Sequence, residues 1–186
     1  MKSFHLLTAG VLALTAAQAQ ADYTKFQMHP EQPYIGLDAQ AARVDTGDKN
    51  ATLTSVLLRA GTNFMPYLGV EAQVSYGVSD ADFTAQNVAG TSFDCSAKNR
   101  GSYGVFLKPN ASLANKMNVY GLLGANYSDI EAKCDLAGYK ANSYGTSFAF
   151  GGGLGVMVSP TMSINAEVIR YDSDIDAANL GLRWYF

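Results

Sequence analysis

The segment that most constrains this chain is its last, Asn179-Leu180-Gly181-Leu182-Arg183-Trp184-Tyr185-Phe186. Leu180, Leu182, Trp184 and Phe186 alternate with Asn179, Gly181, Arg183 and Tyr185, the period-two pattern of a strand with one apolar face. A strand at the end of a chain has no later element to pair with, unless the sheet curls round and closes on its first strand. Closure, alternation and a terminal aromatic together predict an all-β fold, an eight-stranded antiparallel up-and-down transmembrane β-barrel.

The other end of the chain agrees. Met1-Lys2 is a short basic start, Leu6 to Ala17 is apolar, and Ala19-Gln20-Ala21 has the small-x-small form of a signal peptidase site. Residues 1–21 are therefore expected to be a signal peptide, and 22–186 the barrel domain, beginning at Asp22. A membrane anchor helix is the other reading, but crossing a bilayer takes about 20 apolar residues and this run is shorter. The expected destination is the bacterial cell outer membrane.

Without Lys2 the mature chain carries 12 basic and 16 acidic residues. It has no basic stripe, which argues against nucleic acid as a partner. Mean hydropathy is near zero. A small barrel gives that average because lipid-facing and lumen-facing residues cancel along each strand.

Eight alternating segments can be drawn, near 33–44, 52–64, 67–78, 100–109, 117–128, 143–158, 161–171 and 177–186. Most have the roughly 9–11 residues a tilted strand needs to cross a membrane. Met65-Pro66, 109–116 and Ser159-Pro160 are the shorter connections. The connections 44–51, 79–99, 129–142 and 172–176 are polar, and two of them are long. Short periplasmic turns and longer outer loops are the outer-membrane pattern. Residues 22–31 read as a periplasmic lead-in. A soluble sandwich would alternate as well, but its apolar face would fill a core. Phe64, Tyr67, Tyr120, Trp184 and Phe186 are expected in a lower aromatic girdle, and Tyr76, Tyr103, Tyr127, Tyr144 and Tyr171 in an upper one.

Parity places Arg59 and Glu71 in the lumen, nearly opposite each other across the Met65-Pro66 hairpin. Glu167 and Arg183 follow across the last hairpin, within about one diagonal step. Asp38 should approach Arg183 when the barrel closes. An eight-stranded barrel is just wide enough for side chains to fill it, and its charges must pair, since an unpaired buried charge costs several kcal/mol. This lumen charge network is either a static polar core or a plug that rearranges to pass small solutes.

Cys95 and Cys134, the only cysteines, fall in two outer loops. An exported protein meets an oxidising compartment, so a disulfide is expected. Free thiols or a metal pair are the alternatives, and two Cys with no nearby His make a weak metal signal. Eleven of the sixteen acids lie in the outer loops: Asp45, Asp48, Asp80, Asp82, Asp94, Asp129, Glu131, Asp135, Asp172, Asp174 and Asp176. They read as a solvated surface, as cation sites beside lipopolysaccharide phosphates, or as a surface for a basic ligand. Asp172-x-Asp174-x-Asp176 lacks the Gly and terminal Glu of a calcium loop.

The chain resembles the barrel domain of the OmpA-type small outer-membrane proteins. The carrying residues are Tyr120-Gly121-Leu122-Leu123-Gly124, Phe150-Gly151-Gly152-Gly153-Leu154-Gly155-Val156, the turn Ser159-Pro160, and Leu180 to Phe186. They are structural patterns and not a catalytic signature. The resemblance implies a monomer among outer-membrane lipid and lipopolysaccharide. It also implies Trp184 and Phe186 as the C-terminal signal for the outer-membrane assembly machinery during insertion. The chain stops at Phe186, so no peptidoglycan-binding domain is expected.

No cofactor and no metal is expected. Hydrolytic barrels commonly need a His base; His5 leaves with the signal and His29 lies in the lead-in. A GxSxG nucleophile motif is absent. The expected function is thus a non-enzymatic barrel presenting loops to a surface ligand, with an envelope-integrity or adhesion-like role. A narrow porin-like channel is the competing class, and a lipid-modifying enzyme a distant third.

Overall fold

The structure, a computed structural model, describes residues 32–45, 50–86, 92–114, 116–134 and 140–186. The expected signal peptide and lead-in lie outside the described residues. Among the described residues there are nine strands: β1 (Tyr34–Asp45), β2 (Asn50–Met65), β3 (Leu68–Gly77), β4 (Ala81–Gln86), β5 (Ser92–Ala114), β6 (Met117–Cys134), β7 (Lys140–Ser159), β8 (Met162–Asp172) and β9 (Ile175–Tyr185). All pairings are antiparallel. β9 pairs with β1, and β3 skips β4 to pair with β5, which closes an eight-staved barrel. The terminal strand finds its partner as the alternation requires, with Tyr185 opposite Tyr34.

β4 is not a stave. It pairs with the first residues of β5 as a hairpin beyond the barrel, from Ala81↔Ala97 to Gln86↔Ser92. The polar stretch 79–99 is thus partly strand, and β5, β6 and β7 run well past the segments drawn from alternation. Apolar alternation stops where lipid stops, but backbone pairing has no such limit. Strands outside the membrane can be polar on both faces, and they leave no period-two signal there.

The packing is inverted relative to a soluble protein. Leu58, Val74, Val105, Val168 and Leu180 are each more than half exposed, whereas Glu71 and Arg183 are fully buried. A soluble sandwich would reverse those figures. The exposed apolar residues form the lipid band. Phe64, Tyr67, Trp184 and Phe186 are exposed at its periplasmic edge, and Tyr76, Tyr103 and Tyr144 towards the outer one. Tyr120 and Tyr171 depart from the girdle expectation. They are 3% and 6% exposed, because their parity, shared with Asn118 and with Glu167, points them into the lumen.

The staves are strongly tilted. Followed from Arg43, the ladder passes Asp176, Arg170, Phe150, Leu123, Leu107 and Val70 to Thr62. Thr62 adjoins Gly61, the partner of Tyr34 at the opposite end of β1. One circuit thus climbs most of a strand, as closure with a staggered register requires. Residues level with one another across the lumen are therefore not ladder partners.

Candidate functional site: a charged lumen under an apolar layer

Six buried charges occupy the lumen, Asp38, Glu71 and Glu167 against Arg59, Lys108 and Arg183. The set is neutral. Arg59 stands at its centre: Nη1 donates to Glu71 Oε1 at 2.7 Å and to Glu167 Oε2 at 2.8 Å, and Nη2 bonds Asp38. Arg183 Nη2 lies 3.3 Å from Glu167 and 3.5 Å from Glu71, and Lys108 Nζ is 3.4 Å from Glu71. Each acid thus meets at least one base, as charges taken out of water must.

Two tyrosines frame the cluster. Tyr34 donates to Glu71 and accepts from Lys108 Nζ at 2.8 Å. Tyr120 accepts from Arg183 Nη2 at 2.9 Å and donates to Glu167 at 3.2 Å. Lys108 Nζ sits over both rings, at 4.3 and 4.6 Å from the centroids, and Arg183 lies over the same two. Cations on ring faces gain most when desolvated. Each ring lies over a glycine of the neighbouring strand, since Tyr34 pairs with Gly61 and Tyr120 with Gly153. A Cβ at either glycine would stand 2.5 Å from the phenol oxygen. The glycines are what lets two rings and six charges share one narrow barrel.

Asparagine and glutamine complete the network. Asn165 accepts from Arg183 Nη1 at 3.0 Å, Asn179 donates to Glu167 at 2.9 Å, and Gln73 donates to Glu71 at 2.8 Å.

An apolar layer covers the charges on the side of the outer loops. Ala42, Leu53, Phe106, Leu122, Ala149, Ile169 and Ala177 form one buried cluster. On β1, β2, β5, β6, β8 and β9 these residues lie outward along the strand from the polar groups of the network. One chain of uncharged polar groups crosses the layer, from Glu71 through Gln73 and Tyr171 to Gln40, and an ion would have to exchange its water for these few groups, which is costly.

The five charges expected in the lumen are brought together: Arg59 meets Glu71 and Arg183 meets Glu167 as expected, though by a different register, and Asp38 takes another partner. Glu71 pairs in the ladder with Gly61, and Arg59 with Gln73, so they meet one diagonal step away. Glu167 is opposite Asn179 and Arg183 opposite Ser163, two such steps apart, and they meet because the strands tilt. Asp38 bonds Arg59 and not Arg183, whose β1 partner is Gly36. Lys108 escaped the sequence reading, as did the roles of Tyr34 and Tyr120. Parity could have found Lys108, because Val105 and Leu107 face lipid and force Phe106 and Lys108 inward.

At the outer end, the Cα atoms of Cys95 and Cys134 are partners in the β5–β6 ladder. Directly opposite residues are about 4.5–5.5 Å apart, within the range a disulfide spans. No free cysteine occurs among the described residues. At the outer rim of the lipid band, Arg170 holds Asp176 through two hydrogen bonds of 2.6 and 2.8 Å. These bonds keep the Asp176 carboxyl below its ordinary range. No group of three or more His, Cys, Asp or Glu that could hold a metal occurs among the described residues. Trp184 and Phe186 both face outward.

Comparison with known proteins places this geometry. A search of curated proteins finds no match. Among solved structures, Ail, the attachment invasion locus protein of Yersinia pestis, is 19% identical with a TM-score of 0.57, covering 83% of this chain and 97% of that one. A second structure of Ail is a complex with the heparin analogue sucrose octasulfate. Neisserial surface protein A is 20% identical at TM-score 0.53, with 83% and 97% covered. The outer membrane protein OprG of Pseudomonas aeruginosa is 15% identical at 0.57, with 87% and 99% covered. At these identities the likeness is one of fold. Residues 7–186 match the family of the outer membrane protein beta-barrel domain. The closed barrel, the lipid band and that match agree: the chain belongs to the outer membrane protein beta-barrel domain family and is a bacterial outer-membrane protein.

Proposed function

We propose that this protein is a plugged, non-enzymatic barrel that acts through its outer loops, as a surface-interaction protein. The observation that carries the reading is the neutral six-charge network beneath an apolar layer. The charges pair with one another, the apolar residues narrow the lumen above them, and an eight-stranded barrel has little room to spare. What remains to carry function is the part above the membrane, where β4–β5, β6 and β7 extend as paired strands and hold the loops on a rigid base. Loops on a rigid scaffold are the usual seat of recognition.

The outer loops carry most of the acids, so a basic partner, or one bridged by divalent cations, suits them. That chemistry is opposite in sign to the heparin analogue bound by Ail. Planar-bilayer conductance of the refolded mature chain, with Arg59→Ala alongside, tests the plug. The wild type is expected to show no discrete steps. Steps from the wild type that change in Arg59→Ala would replace this reading with a channel. Outer-membrane vesicles bearing the protein should adsorb to a polylysine surface more than vesicles without it, and preferential capture by immobilised heparin would refute the charge argument.

A further inference from the structure

The mouth of the barrel holds a small, solvent-open pocket. Its walls are Ala42, Val44, Leu53, Ile130 and Ile175. Gln40, Asn99, Ser102, Ser128 and Tyr171 bring polar atoms to the same pocket, and none of the lining residues is charged. The charges of the lumen lie deeper, on the periplasmic side of the apolar layer. Apolar walls with a few convergent polar groups are the usual composition of a small-molecule site, and barrel mouths are a usual place for one.

The hydrogen bonds at the pocket narrow the ligand. Asn99 is fully used, donating to Ser55 and Ser75 and accepting from the Gly101 amide. Tyr171 accepts from Gln40 and donates to Gln73. Ser102 is engaged with Ser75. Ser128 accepts from Asn126 Nδ2 at 2.8 Å and keeps its own hydroxyl proton to donate. A ligand that ends in an acceptor satisfies that proton. A charged ligand would be held against apolar walls with no counter-charge, which is unfavourable.

We propose that the mouth pocket is a binding site for small uncharged apolar molecules bearing one carbonyl or hydroxyl oxygen, with the ring or chain against Leu53, Ile130 and Ile175 and the oxygen at Ser128. The site is independent of the loop reading, because it lies inside the barrel and needs no macromolecular partner.

The test is methyl NMR on the mature chain in lipid nanodiscs, titrated with cyclohexanone. Saturable shifts are expected at the methyls of Val44, Leu53, Ile130 and Ile175, and none of similar size at lipid-facing Val74 and Leu180. Cyclohexanecarboxylate, the same ring with a charge, should bind at least tenfold more weakly. Ala42→Phe fills the pocket and should lower affinity at least tenfold. Ser128→Ala keeps the space, removes the donor, and should weaken binding about three- to tenfold. Non-saturating shifts shared by Val74 and Leu180 would mean partition into the bilayer and would overturn the site. So would equal binding of the carboxylate, or affinity unchanged in both variants.

Discussion

Arg59→Met is the sharpest test of the lumen network. Arg59 reaches Asp38, Glu71 and Glu167 through two nitrogens of one guanidinium. Its side chain is fully buried, as is that of Glu71. Methionine preserves much of the volume and removes the charge, leaving three carboxylates against Lys108 and Arg183. Breaking a buried pair by deleting one partner costs about 3–5 kcal/mol, because the remaining charge stays desolvated. That corresponds to roughly two to four powers of ten in the folding equilibrium, at about 1.4 kcal/mol per decade. Urea unfolding in lipid vesicles, followed by the fluorescence of the single Trp184, reads it directly. The control is the double variant Arg59→Met with Glu167→Gln, which restores neutrality. It should recover a large part of the loss, a positive coupling expected only of groups in one network. A loss below about 1 kcal/mol, the scale of exposed pairs, would mean that water screens the network, and the buried-plug argument would fail.

Four further outcomes follow. Tyr120→Phe removes the hydrogen bonds to Arg183 and Glu167 and should cost about 1–3 kcal/mol, measurable in the same unfolding assay. Gly153→Val drives a side chain against the Tyr120 ring and should abolish the compact, heat-modifiable band on unboiled gels, or destabilise by more than Tyr120→Phe does. Cys95→Ser should cost about 2–4 kcal/mol if the Cys95–Cys134 disulfide forms, and oxidised wild type should show no labelling by a thiol reagent at either position. At the rim, the bonds from Arg170 depress the Asp176 carboxyl, so the pair's contribution is complete above the ordinary carboxylate range and is lost as pH falls through the lowered value. Both groups are largely exposed, so Asp176→Asn should change stability by less than about 1 kcal/mol at neutral pH, and salt should shrink the effect.

The sequence by itself determined the class of fold, the lipid face and the membrane that holds it. Parity alone sorts Leu180, Leu182 and Trp184 from Asn179 and Arg183, and a closed sheet leaves only one side for each. The inward placement of Asp38, Arg59, Glu71, Glu167 and Arg183 was legible for the same reason, and Lys108 was within reach of it. The strands beyond the membrane were not legible, because β4 and the outer parts of β5, β6 and β7 carry no apolar period. Nor was the wiring of the network. Which charge meets which depends on strand tilt, and tilt comes from the stagger with which β9 closes on β1, a property of the whole ring and of no single hairpin. The same stagger stacks the apolar layer over the charges and opens the uncharged pocket above it. Those features rest on residues far apart in sequence, such as Leu53 beside Ile175, and only the closed barrel brings them to one level.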